Sequence, residues 1–299
     1  CIITIFTFNL LQKLNLNNSS CFLYSVCVAI LTYPTAGTPF SDHHTLILCL
    51  LSLYMFILAI DEKKNIYWFL IPILLGFAFL SKQAPTVYLI FLISFLSIIY
   101  FYKSRNISNF ISALAGCTTV LILFFVLLFL SGINFNDFLI QYFLYPKSLG
   151  ASRLEWLSPF EFKRIIWRYK LQYLSIATLI FLFIKFSLEK KKEIFSDYLI
   201  ILSIIIFCLL TVMHQLMTIN AIFIYCLIPI FCGFSHIYSK KYLKQNKIIS
   251  RFLVTLTICS TVYYYFSYIQ NRVFMDLKGV NLENSIDGKK IHSKLANIK

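Results

Sequence analysis

Charge is scarce in this chain, and acidic charge scarcest: Asp and Glu total 12 of 299 residues against 27 Lys and Arg, and all charged residues together make up 13%. A soluble domain of this length still has to cover its core with polar surface, so such a small share of charge excludes one. No solenoid period and no low-complexity tract is visible. Nine cysteines occur without a CxxC pair, and most of them (Cys49, Cys117, Cys208, Cys226, Cys232 and Cys259) lie inside apolar runs, where a buried thiol is the plain reading. What fills the chain instead is apolar: 59% hydrophobic and 18% aromatic residues, with a mean hydropathy of +0.78. This is a membrane composition.

Apolar segments run over 19–36, 43–60, 66–81, 86–102, 109–131, 171–187, 196–216, 220–238 and 250–268. With the apolar run at residues 1–11 they predict an all-α polytopic transmembrane bundle of about ten spans over residues 1–268. The opening run "CIITIFTFNLL" is too short to span and follows no basic start. It therefore reads as the tail of a truncated helix rather than a signal peptide. Residues 269–299 turn polar and read as an outer tail, too short and too polar to hold a core alone. Alternate loops, "LQKLNLNN", "DEKKN", "KSRN", "KFSLEKKKE" and "SKKYLKQNK", are short and basic, which places them in the cytoplasm. The other set is "TAGTPFSDHH", "SKQAP", the long 132–170 segment, "HQLMTIN" and the tail, and it holds every unusual residue. Within 132–170, "SPFEFKRIIWRYKLQYL" predicts one amphipathic interfacial helix with Trp167 and Tyr169 at headgroup level. The net charge of +15 is thereby topological signal and contact with membrane lipids; no nucleic acid is expected. Richness in Ile, Lys, Asn, Phe and Tyr matches AT-rich codons and points to a bacterial source.

Asp42 is the most informative residue. At the start of an apolar helix a carboxylate either caps free backbone N–H groups or, at the mouth of a bundle, holds a divalent cation (Mg, Mn or Zn) or positions a phosphate through one. His43 and His44 follow it directly. Neighbours on a helix point about 100° apart, so a self-contained Asp-His-His metal triad is disfavoured. Lys82 and Gln83 in "GFAFLSKQAP" sit on the same side as Asp42. Lys82 is either a snorkelling helix-end lysine or a cation for a lipid phosphate. His214, Gln215, Thr218 and Asn220 in "MHQLMTINA" form a polar cluster in a near-apolar setting, either a water-filled turn or a candidate contact for phosphate or acceptor through His214 and Gln215. Lys147 and Arg153 flank "SLGA" in the long outer segment, and they suit a phosphate grip and an anionic-lipid contact equally.

The run "PFSDHHTLILCLLSLYMFILAI", a short basic turn, then "YWFLIPILLGFAFLSKQAPTVYL" resembles membrane glycosyltransferases of the GT-C fold, the group that includes protein O-mannosyltransferases and the lipid A aminoarabinose transferase. The likeness covers residues 20–105, with "GFAFLSKQ" standing where that family has a Gly-Leu-Ala-x-Leu-Thr-Lys-like run. It implies inverting transfer from a polyprenyl-phosphate sugar to a lipid or glycan acceptor on the outer face of a bacterial inner membrane. It makes Asp42 a metal- or donor-phosphate-positioning residue and Lys82 a donor-phosphate contact. It also places the catalytic base in a first outer loop upstream of Cys1, so that this stretch alone would be inactive.

Two rivals stand beside this reading, one from another class and one a further lipid-linked glycan enzyme. A transporter or flippase of lipid-linked oligosaccharides would share the span count, but it would show an internal repeat and broken helices at mid-membrane. A polymerase or ligase of the O-antigen type would depend on Arg153 more than on Asp42.

Overall fold

In the computed structural model, the described residues are 2–32, 40–148, 161–189, 194–218, 222–243 and 247–269; they are overwhelmingly helical and contain no strand. Arg153 and the tail 270–299 lie outside them. The helices are α1 (Ile2–Lys13), α2 (Asn18–Thr32), α3 (Ser41–Asp61), α4 (Asn65–Ser81), α5 (Gln83–Ser104), α6 (Ile107–Ser131) and the five-residue α7 (Phe135–Leu139). After these come α8 (Lys170–Glu189), α9 (Phe195–Thr218), α10 (Leu227–Tyr242) and α11 (Lys247–Tyr264).

Seven segments are long and apolar enough to cross a membrane: α3, α5, α6, α8, α9, and α10 and α11 with their flanking turns. Three more helices are apolar but shorter, α1, α2 and α4 at 12, 15 and 17 residues. The polytopic helical bundle therefore stands, but of about ten predicted spans seven reach full length among the described residues. At 1.5 Å per residue, α4 covers only about 26 Å.

Burial follows hydrophobic pattern. A helix apolar on every side belongs inside, and α3 is such a helix, every residue from Cys49 to Ile60 being buried. It packs against α4, α5 and α9, while α10, also buried almost throughout, packs against α2, α8 and α11. α6 is the opposite case: equally apolar, it buries only Asn109 and Gly116 and turns the rest outward, as a lipid-facing helix does. Its grip on α4 depends on two glycines. A Cβ on Gly116 would stand 2.2 Å from the Phe69 carbonyl oxygen, and one on Gly76 would stand 2.2 Å from Val120 Cγ2. The two backbones approach because those side chains are missing.

The helix ends fall into two groups. At one, Glu62 accepts from Lys13, Lys64 and Tyr67, and Asp197 pairs with Lys241 at 2.6 Å. The Lys13 and then the Lys64 hydrogen bond hold the Glu62 carboxyl down at about 2. At the other end lie the start of α3, the α4–α5 junction and the last turn of α9.

In the long 132–170 segment α7 continues into a π-helical turn (Ile140–Leu144). After 149–160, which lie outside the described residues, a second π-helical turn (Lys163–Trp167) leads into α8, so the stretch predicted as an amphipathic helix is helical over most of its described residues. Trp167 is exposed, with Lys170 Nζ 3.6 Å above its ring, but Tyr169 is fully buried. Tyr169 is thus a core residue rather than an interfacial anchor, because it stands at the entry to α8 and turns inward.

Candidate functional site

The α3 helix begins without a side-chain cap. Phe40 occupies the capping position with extended backbone (φ −82°, ψ 162°), and its carbonyl accepts from His43 N at 2.9 Å. The capping role weighed for Asp42 therefore falls away: Asp42 lies one residue inside the helix, and its carboxylate is aimed elsewhere.

Its target is Lys82. That residue joins α4 to α5 in extended conformation (φ −164°, ψ 131°), and the break swings its side chain across to α3. Lys82 Nζ donates to Asp42 Oδ1 at 2.6 Å, and His214 Nε2 lies 3.4 Å from the same oxygen. The side chains of Lys82 and Asp42 are 22% and 18% exposed, whereas that of His214 is 3% exposed. The site thus has an inner imidazole wall and an outer rim open to a ligand.

The surrounding structure fixes the junction. Thr86 Oγ1 donates to the Lys82 carbonyl at 2.9 Å, and Thr45 Oγ1 reaches the Ala78 carbonyl at 3.4 Å, tying α3 to the end of α4. Ala84 is still non-helical (φ −104°, ψ 129°), so continuous helix starts at Pro85, whose missing N–H costs nothing in a first turn. Gln83 leaves the group. Its Nε2 donates to the Tyr142 carbonyl at 2.6 Å, and the Tyr142 hydroxyl donates to the Phe79 carbonyl, clamping the 135–144 segment over the α4–α5 junction.

The remaining candidates divide. His43 is buried and meets the Phe223 ring edge-on at 4.6 Å, while its neighbour His44 is exposed, so the two imidazoles do diverge as helix geometry dictates. Gln215 is buried beside His214 in α9. Lys147 is exposed, and no hydrogen bond or ion pair links it to the Asp42 group among the described residues. Arg153 and Asn220 lie outside those residues. Tyr142, Thr45 and Arg164, which donates to the Leu216 carbonyl at 3.4 Å, support the site without a warning in the sequence. Each acts through a backbone carbonyl, which has no sequence signature.

A divalent cation is a poor fit to these residues. Among the described residues no group of three His, Cys, Asp or Glu side chains converges, and the Asp42 oxygen facing the site already holds an ammonium. One carboxylate and one imidazole fall short of the six or more oxygens, or four mixed ligands, that such ions take.

The fold and this geometry define a polytopic helical membrane protein with an ion-paired, partly open site at one end of its bundle. Residues 2–129 match the family model described as dolichyl-phosphate-mannose-protein mannosyltransferase. The matched stretch contains Asp42, His43, Lys82 and Gln83 and ends before α7, so His214 comes to the site from outside it. No curated protein and no solved structure gives a significant match to the chain.

Proposed function

We propose that the protein transfers a sugar from a polyprenyl-phosphate donor to a lipid or glycan acceptor, and that the Asp42–Lys82–His214 group receives the donor phosphate. The observation that carries this reading is the convergence of Lys82 and His214 on one Asp42 oxygen, from positions 40 and 172 residues away in sequence. The family match over 2–129 supplies the reaction class.

The chemistry asked of the site is modest. In an inverting displacement the acceptor oxygen bonds to the anomeric carbon as the bond from that carbon to the phosphate oxygen breaks. The leaving phosphate keeps the electron pair, and the acceptor proton passes to a base. A preorganised ammonium beside the departing phosphate lowers the cost of its growing charge. In the resting state Asp42 holds Lys82 in place and neutralises it, so the partly buried ammonium is not left uncompensated. An incoming phosphate then competes for the same ammonium, and His214 steadies the carboxylate that gives it up. The basic loops at the opposite end favour placing this site on the outer face of a bacterial inner membrane.

Replacing Asp42 by Asn leaves Lys82 without its anchor. Sugar transfer from a polyprenyl-phosphate donor, measured in membranes carrying the protein, should fall at least about tenfold, equal to roughly 1.4 kcal/mol. Unchanged transfer sinks the role assigned to Asp42.

A further inference from the structure

At the opposite end of the bundle, the α1–α2 turn faces the C-terminal end of α10 and the first turn of α11 across a recess of about 290 Å³. Asn17, His236, Lys240, Lys247, Ser250 and Arg251 line it, and among the described residues no carboxylate does. The adjoining recess, of about 320 Å³, shares Lys240 but contains Asp61 and Asp197, and there Lys241 pairs with Asp197 at 2.6 Å. In this fold, then, the cations at this end are of two kinds. Lys13, Lys64 and Lys241 have carboxylate partners. Lys240, Lys247 and Arg251 make no ion pair among the described residues and border a concave, carboxylate-free space.

A chain with only 12 acidic residues cannot pair all its cations, and an isolated exposed lysine needs no explanation. Concentration of three cations around one cavity is different. All three are exposed and turn toward the same space, so an anion entering it meets several cations at once, and Asn17 adds a neutral hydrogen-bonding group from the α1–α2 turn. The back wall is firm, because His236 Nδ1 is hydrogen-bonded to the Tyr24 hydroxyl at 3.1 Å. The volume accommodates a phosphate group with a short polar substituent, and Arg251 with two lysines suits a phosphodiester.

We infer that this recess is a binding site for a phosphate group, distinct from the Asp42 site and independent of the activity proposed for it. Helix ends place it at headgroup level, so the phosphate of an anionic glycerophospholipid in the leaflet at this end is one source, and a soluble phosphate compound is the other. Lys240 and Arg251 flank the phosphate, and Lys247 closes the rim.

The test uses the full chain purified in neutral detergent, with thermal unfolding followed after addition of phosphatidylglycerol, phosphatidylcholine or inorganic phosphate. Phosphatidylglycerol should raise the midpoint by about 2–4 °C over phosphatidylcholine. K240Q/R251Q should lose that rise, and the single variant Lys247→Gln should lose part of it. K63Q/R105Q, which removes the same charge from exposed positions at this end, should keep it. A rise produced by inorganic phosphate alone and lost in K240Q/R251Q assigns the site to a soluble phosphate. Equal lipid-dependent rises in both double variants, or no rise with either probe, overturns the inference.

Discussion

At Asp42 one carboxylate oxygen is shared between an ammonium at 2.6 Å and an imidazole at 3.4 Å, all three groups being at least three-quarters buried. Pairs in such places are held by mutual compensation: deleting one charge strands the other, whereas deleting both does not. The single variants Asp42→Asn and Lys82→Gln should therefore each destabilise the protein by about 1–3 kcal/mol. The double variant should lose less than their sum, giving a coupling of about 0.5–3 kcal/mol in thermal unfolding. Strict additivity would mean that the two side chains do not depend on each other. Asp42 and Lys82 were legible in the sequence as isolated charges at the ends of apolar runs on one side of the membrane, because a charge in such surroundings is costly and stands out. Their pairing was not, nor was the loss of the capping role. The pairing depends on the extended backbone at Lys82, and nothing in "LSKQAP" announces which way that residue points; the lost cap depends on α3 starting at Ser41 with Phe40 in the capping position.

Among elements, hydropathy located the long helices to within a few residues. The predicted run 43–60 became Ser41–Asp61, 109–131 became Ile107–Ser131, and 196–216 became Phe195–Thr218. Length and apolarity are set by the bilayer, so they are written locally. Where the chain turns, local reading placed the span but not its fine structure. Ile222–Tyr242 is long and apolar enough to span, as the run 220–238 predicts, but it opens with a 3-10 turn (Ile222–Ile224) before α10 starts at Leu227, and two π-helical turns (Ile140–Leu144 and Lys163–Trp167) fall within the 132–170 segment. The α4–α6 contact belongs to this scale as well. Gly116→Ala places a Cβ against the backbone of Phe69 and against Pro72, which cannot move aside without shifting a helix, and should cost about 1–3 kcal/mol. Gly132→Ala, in open space but at φ +67°, should cost only about 1 kcal/mol. Comparing the two unfolding midpoints checks the order, and equal losses would remove the case for close helix approach at Gly116.

For the molecule as a whole, the two groups of helix ends carry different chemistry: the ion-paired Asp42 site at one, and the basic loops with the carboxylate-free recess at the other. The positive-inside rule turns this asymmetry into an orientation. A cysteine placed at the exposed His44 should be labelled in intact cells by a membrane-impermeant maleimide, above the background of the native thiols. One at Lys63 should be labelled only after permeabilisation. The reverse pattern would put the site in the cytoplasm. The central claim, that Lys82 receives a lipid phosphate, is tested most directly by binding. Retention of a radiolabelled polyprenyl phosphate by the purified protein should weaken about 10- to 100-fold in Lys82→Gln, as expected for loss of a charge-assisted hydrogen bond worth about 1.5–3 kcal/mol. The Lys63→Gln variant, altered at the opposite end of the bundle, should bind as the unaltered protein does. Undiminished binding by Lys82→Gln would contradict the account.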